Sequence, residues 1–206
     1  MTLIAGPNGS GKSTTLDFLR RSGVETPNYF NADVIAQGLE GTPEEIARRS
    51  QQVVRDAREA AILSGRSLTY ETVMSHPSHV DAIHRARQAN FFVRLIFVTT
   101  DDPELNVRRV ADRVAKGGHD VPDEKIRSRY RRIFDGQLLN AIIAADEALL
   151  FDTTFGDAAK KPVPHWVGHI MGFFVDRFDA RGLTWAGQLE RDMREAGGFV
   201  FPNDFS

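Results

Sequence analysis

Residues Gly6-Pro7-Asn8-Gly9-Ser10-Gly11-Lys12-Ser13-Thr14 fill the spacing G-x-x-x-x-G-K-[ST]. The apolar run Thr2-Leu3-Ile4-Ala5 precedes them at once, and the helical run Thr15-Leu16-Asp17-Phe18-Leu19 follows. Strand, glycine-rich loop and helix in that order favour a phosphate-binding loop over a glycine-rich turn that merely caps a helix, because both flanks have the required character. The glycines allow backbone angles closed to other residues, so successive N–H groups can face phosphate oxygens. The helix adds its free N–H groups and the positive end of its dipole. In such a loop Lys12 reaches the β- and γ-phosphates, and the Ser13 hydroxyl binds Mg²⁺. Gly6 to Thr14 are therefore the expected nucleotide-binding residues, with Ser13 as the metal contact.

The loop does not say what becomes of the phosphate. Downstream, short apolar runs alternate with helical patterns. Strands are expected at Asn28–Asn31, Ser67–Thr72, Phe91–Thr99 and Glu147–Asp152. Helices are expected at Glu44–Ser64, Pro77–Ala89, Asp101–Lys116 and Asp123–Asp146. The run FFVRLIFVT at Phe91–Thr99 has the near-continuous apolar character of a strand buried on both faces. Alternation of this kind predicts an α/β fold with a parallel sheet, whose ligands sit beyond the carboxyl ends of the strands.

At 206 residues the chain is expected to form one main domain with an appendage. The main domain is expected over 1–156 and a C-terminal helical extension, packing on it, over 157–206. Lys160-Lys161-Pro162 and Pro164 read as a linker. Val163–Phe178 reads as a helix carrying Trp166, Ile170, Phe173 and Phe174 on one side, and Leu183–Arg194 as another. The net charge of −2 gives no global basic field for nucleic acid. Absence of cysteine excludes disulfides, thiolate metal sites and cysteine nucleophiles. No secretory leader precedes the first strand, and the stretch Trp166–Val175 is too short to span a bilayer, so a cytoplasmic location is expected.

Three groups beyond the loop can do chemistry. Asp33 follows the second strand, where a carboxylate can take the proton of an attacking hydroxyl. The same position suits a helix cap. Glu71 ends the third strand and can hold Mg²⁺ through water or bind an acceptor, with Thr72, Ser75 and His76 as further acceptor contacts. Arg109, Arg113 and Lys116 share a helix face, and Arg129 and Arg132 lie beyond the break at Gly117-Gly118-His119. An arginine clamp stabilises charge on a phosphoryl group in transfer, and a Gly-Gly hinge would let it close as a lid over about 109–132. A solvated helical face is the other reading of such a run.

These residues together resemble the zeta-toxin family of P-loop kinases. The resemblance is carried by GPNGSGKST at Gly6–Thr14, Asn31-Ala32-Asp33, Tyr70-Glu71-Thr72 and the stretch from Arg109 through Gly117-Gly118-His119-Asp120-Val121-Pro122, and Ile126, Arg129-Tyr130 and Arg132 extend it. It spans roughly 1–155. It implies a nucleotide-kinase-like, three-layer P-loop fold with a parallel five-stranded sheet and a short helical lid. It implies that Asp33 is the catalytic base, that Lys12 and Arg113 stabilise the transferred phosphate, and that Asn31, Asp33, Glu71 and Thr72 meet the acceptor. Arg109, Arg113, His119, Arg129 and Arg132 are the implied lid contacts to phosphate. It further implies ATP with Mg²⁺ as donor, UDP-N-acetylglucosamine or a related nucleotide sugar as acceptor, and a small helical antitoxin as partner. His119 stands near where the toxins place an arginine.

An ATP-dependent small-molecule kinase is thus the leading expectation. An ATPase or nucleotide switch without an acceptor is the rival, and a nucleoside or polynucleotide kinase the third reading. No Asn-Lys-x-Asp guanine motif and no LSGGQ signature occurs. Membrane and nucleic-acid partners are not expected.

Overall fold

A computed structural model describes residues 1–156, 164–180 and 182–205. β1 (Thr2–Ala5) leads into the glycine-rich loop and α1 (Lys12–Arg21). β2 (Tyr29–Phe30), α2 (Ala32–Ala36), α3 (Pro43–Ser64), β3 (Thr69–Thr72) and α4 (Ser78–Gln88) follow. β4 (Arg94–Thr99), α5 (Pro103–Ala115), α6 (Asp123–Arg132), α7 (Leu138–Ala144) and β5 (Glu147–Asp152) complete the alternating part. The chain then adds β6 (His165–Met171), β7 (Phe174–Phe178) and α8 (Thr184–Ala196).

The strands form one seven-stranded sheet in the order β2-β3-β1-β4-β5-β6-β7. β1 to β5 are mutually parallel, as the βα alternation predicts, while β6 and β7 run antiparallel. The sheet is therefore mixed and two strands wider than the expected five. β1 lies between β3 and β4, so the loop after it opens among the carboxyl ends of its neighbours. Leu95, Ile96, Phe97 and Val98 of β4 are all fully buried, with cores on both faces of the strand. Burying each such side chain stabilises the fold by about 1.5–3 kcal/mol before entropy is counted.

Helix boundaries have local causes. Thr42 and Glu45 form a reciprocal capping box at the start of α3, with Pro43 in the first turn. Asp102 caps α5 through the Glu104 N–H. The single long helix expected over Asp123–Asp146 is instead two, because the backbone leaves helical geometry at Asp135 and Gly136.

The helix expected over Val163–Phe178 is corrected to the β6–β7 hairpin. Its apolar residues fit helical spacing, but Val167, Gly168 and Ile170 of β6 and Val175 of β7 are the buried ones, and Trp166, Phe173 and Phe174 stay exposed. Gly172 at positive φ lies in the tight connection between the strands. The second expected tail helix is present as α8. The linker expected at Lys160-Lys161-Pro162 lies outside the described residues. Among the described residues, no helix is long and apolar enough to cross a membrane.

Candidate active site

The loop after β1 folds as its glycines require. A Cβ on Gly6 would stand 1.9 Å from the Val98 carbonyl oxygen, and one on Gly9 2.5 Å from that of Asn106. Both positions also have positive φ, so no other residue fits either without moving backbone. The Lys12 ammonium donates to the carbonyls of Gly6 and Pro7, each at 2.9 Å. Ser13, the next residue, is exposed at the start of α1.

Glu71 meets this lysine from the end of β3. Its Oε1 lies 3.7 Å from Lys12 Nζ. Its Oε2 accepts hydrogen bonds from the Tyr29 hydroxyl and the Asn31 side-chain amide, both at 2.8 Å. The register explains the convergence: Tyr29 pairs with Thr69 and Phe30 with Tyr70, so Asn31 follows opposite Glu71. Burial pushes the Lys12 ammonium below its ordinary pKa, and the Glu71 and Asp33 carboxylates oppose that shift. Burial, then the neighbouring Glu71 charge, raises the Tyr29 phenol and keeps it a donor.

Asp33 is not the cap of its helix. Asn31 is: its Oδ1 accepts the Asp33 N–H at 2.7 Å. The Asp33 carboxylate is left half exposed at the rim, 3.8 Å from Arg113 Nη1. Asp33 is among the charges acting on both Lys12 and Arg129, so it belongs to the electrostatics of the loop mouth.

The arginines divide. Arg113 reaches Asp33 and donates to the His119 carbonyl at 2.8 Å. Arg129, half buried, donates to Asn8 Oδ1 in the loop at 2.9 Å. Burial, then the charge of Arg132, lowers the Arg129 pKa, and Asp33 opposes this. Arg109 points elsewhere: its two terminal nitrogens donate to the hydroxyl and carbonyl oxygens of Thr153, at 2.9 and 2.7 Å. Arg132 donates to the Ser128 carbonyl of its own helix, and His119 is exposed and contributes its backbone. Thr72 turns away from the loop, its hydroxyl 3.0 Å from His79 Nε2 and accepting the Met74 N–H.

Lys12, Asn31, Asp33, Glu71, Arg113 and Arg129 are thus brought together around the loop, Arg109 reaches it only through Thr153, and Arg132 and Thr72 make their contacts elsewhere. Sequence reasoning misses Tyr29, His79 and Thr153. Tyr29 is legible in principle, because it lies two residues before Asn31 and a strand sends both to one face. Among the described residues no cluster of three or more His, Asp or Glu side chains could hold a metal ion alone. A Mg²⁺ carried in by nucleotide phosphates needs only one or two protein oxygens, and the exposed Ser13 hydroxyl fits that demand.

Known proteins share this architecture. The solved AvrRxo1-ORF1:-ORF2 complex with ATP superposes with a TM-score of 0.59 at 17% identity, over 92% of this chain and 62% of that one. The chain thus spans less than two thirds of that protein's length. The solved structure of the PezAT chromosomal toxin-antitoxin system of Streptococcus pneumoniae gives a TM-score of 0.56 at 12% identity, over 95% of this chain and 83% of that chain. At these identities the likeness is one of fold. An uncharacterized protein of Haemophilus influenzae is 27% identical over 131 residues, 61% of this chain and 88% of its own length. The zeta toxin family model matches residues 1–149, the span that holds the loop, Asp33, Glu71, Arg113 and Arg129, and the chain belongs to the zeta toxin family.

Proposed function

We propose that the protein is an ATP-dependent phosphotransferase that moves a γ-phosphoryl group onto a hydroxyl of a small acceptor, UDP-N-acetylglucosamine or a related nucleotide sugar. The observation that carries this reading is the Asp33 carboxylate: relieved of capping by Asn31, it sits at the rim beside Arg113 and acts electrostatically on the loop lysine. A carboxylate so placed can receive the proton of an attacking acceptor hydroxyl, and whether the nucleophile is an acceptor or water is what the test below decides.

In the proposed reaction the acceptor hydroxyl lies between Asp33 and Glu71. Asp33 takes its proton as the oxygen bonds to the γ-phosphorus, and the bond from that phosphorus to the β–γ bridging oxygen breaks, releasing ADP. Lys12 and Arg113 stabilise charge on the equatorial oxygens. Glu71, fixed by Tyr29 and Asn31, orients the acceptor. Arg129 braces Asn8 at the loop. Mg²⁺, held through Ser13, would neutralise phosphate charge when bound. The ATP in the AvrRxo1-ORF1:-ORF2 structure, on the same fold, supports ATP as donor. PezAT is a toxin-antitoxin system, which supports an antitoxin partner.

The test is transfer of label from γ-labelled ATP to a panel of UDP-sugars, nucleosides and oligonucleotides. Label in a UDP-sugar is the expected result. Label appearing only as free phosphate would replace this reading with an ATPase, and label in oligonucleotides with a polynucleotide kinase.

A further inference from the structure

The chain beyond the family match returns to the nucleotide-binding loop through one buried carboxylate. Asp152, the last residue of β5, is fully buried. Its Oδ1 accepts the Thr154 N–H at 2.6 Å, and its Oδ2 accepts the indole N–H of Trp185, from the first turn of α8, at 2.8 Å. The same tryptophan donates its backbone N–H to Asp101 Oδ1 at 2.9 Å, while the Asp101 N–H donates to the Thr154 hydroxyl at 2.7 Å. One residue therefore ties the segments after β4 and β5 together.

Thr153 lies between these contacts and the loop. Its N–H donates to the Thr99 carbonyl at 2.9 Å, and its hydroxyl donates to the Ser10 carbonyl at 2.8 Å while accepting from Arg109. A Cβ placed on Gly11 would stand 3.4 Å from the Thr153 methyl, so Thr153 forms the floor under Ser10 and Gly11. Lys12 comes next in the chain. The route from the indole to the loop is thus short: Trp185, Asp152, Thr153, Ser10.

Packing alone does not require this chemistry. The Trp185 ring sits against Phe97 and Phe134, with centroids 6.2 and 6.1 Å away, and a phenyl ring could fill much of that space. What a phenyl ring cannot supply is a donor to Asp152 Oδ2, which is shut off from water, and a buried carboxylate oxygen left without its donor costs more than a lost neutral contact.

From this geometry we infer that Trp185 is a positioning residue for the nucleotide-binding loop, acting through Asp152 and Thr153. The C-terminal segment then completes the nucleotide site rather than only widening the sheet. The inference rests on the loop binding nucleotide, as proposed above, but not on the identity of the acceptor.

The test compares Mg·ATP dissociation constants of the wild type, Trp185→Phe and Trp166→Phe by calorimetry, at a temperature where far-UV circular dichroism shows each fully folded. Trp166 is exposed and its indole N–H donates to the Gly168 carbonyl of its own strand, so its variant is the control. Trp185→Phe should weaken Mg·ATP binding about tenfold, with the control unchanged. In turnover the KM for ATP should rise while kcat moves by less than about twofold. A lower melting temperature with an unchanged dissociation constant would reduce Trp185 to a packing residue and overturn the inference. Should Trp185→Phe not fold, Asp152→Asn carries the same expectation, because an amide has one oxygen for two donors. Unchanged binding in that variant overturns the inference equally. A wild type that binds Mg·ATP but transfers no phosphate removes the phosphotransferase reading and leaves this comparison intact; a wild type that binds none removes both.

Discussion

Arg113 Nη1 lies 3.8 Å from Asp33 Oδ2, so the expected base and the expected clamp face each other before any substrate is present. The pair is partly exposed, with side chains 39% and 52% accessible, and such pairs contribute about 0–1 kcal/mol. It follows that Arg113 contributes little to stability. Its value lies in where it leaves a positive charge: over the mouth of the loop, held by the His119 carbonyl. Arg113→Ala should lower kcat about 10³-fold while changing the melting temperature by no more than a surface substitution does. Stopped-assay kinetics alongside thermal denaturation checks both halves. Unaltered kcat would assign the clamp to Arg129 instead.

Asp33→Asn removes the proton acceptor and keeps the shape. Phosphoryl transfer should fall about 10²–10⁴-fold, the usual contribution of a positioned base. Mg·ATP affinity should not fall, because the carboxylate contacts no loop backbone. Transfer of labelled phosphate and calorimetry on one preparation separate the two effects. Full turnover in the variant would take Asp33 out of the mechanism.

Lys12 is a buried ammonium whose desolvation is only partly offset by Glu71 at 3.7 Å. Removing one partner of a buried ion pair leaves the other charge uncompensated, which costs about 3–5 kcal/mol where nothing else compensates it. Lys12→Met should therefore abolish measurable Mg·ATP binding and also lower the melting temperature, because Glu71 Oε1 and the Gly6 and Pro7 carbonyls lose their partner. Glu71 keeps its bonds from Tyr29 and Asn31 in the variant, so it is not left without partners. Undiminished Mg·ATP binding in a folded Lys12→Met variant would remove Lys12 from the nucleotide site.

Tyr29→Phe deletes one of the donors to Glu71 and the hydroxyl that accepts from the Asn31 amide at 3.1 Å, while the ring still packs beneath Arg20. A hydrogen bond to a charged group contributes about 1.5–3 kcal/mol, so urea denaturation should show a loss of that order. The acceptor KM should rise with it, while Mg·ATP affinity stays near the wild-type value. Equal weakening of both ligands would mean that the variant loosens the whole site.

The parts of the site legible in the sequence are those fixed by local chain chemistry. A glycine-rich loop between strand and helix has few alternatives, and a carboxylate at a parallel strand's end must lie near that loop, so Lys12, Asp33 and Glu71 can be placed in advance. The arginines cannot be sorted, because helical spacing places Arg109 and Arg113 on one face but does not say which neighbour each guanidinium finds. Thr153 satisfies Arg109 only after β5 has paired with β4, a contact between residues far apart in the chain. The tail departs from expectation for a related reason. Its apolar residues fit a helix, and the presence of an open edge on β5 for β6 to join is a property of the assembled sheet.

His79, invisible in the sequence, sets a pH dependence. Burial first, then the charges of Arg58 and His76, pushes its pKa from 6.5 down to about 4. The unfolded chain therefore binds a proton at this position below about pH 6.5, whereas the folded protein resists it until near pH 4. Stability contributed by neutral His79 is fully present above the unfolded value and is lost as pH falls from 6.5 toward 4. Because a tenfold difference in proton affinity between the folded and unfolded chains corresponds to about 1.4 kcal/mol, the loss across that window is at most about 3.5 kcal/mol. The ring is 3.0 Å from the Thr72 hydroxyl, one residue past Glu71, so the acceptor side of the site should loosen in step. Urea denaturation of the wild type and of His79→Asn at several pH values through the window measures the effect. The wild type should lose stability toward the acid end, and the variant should lose distinctly less. Parallel curves for the two proteins would assign the acid sensitivity to other groups.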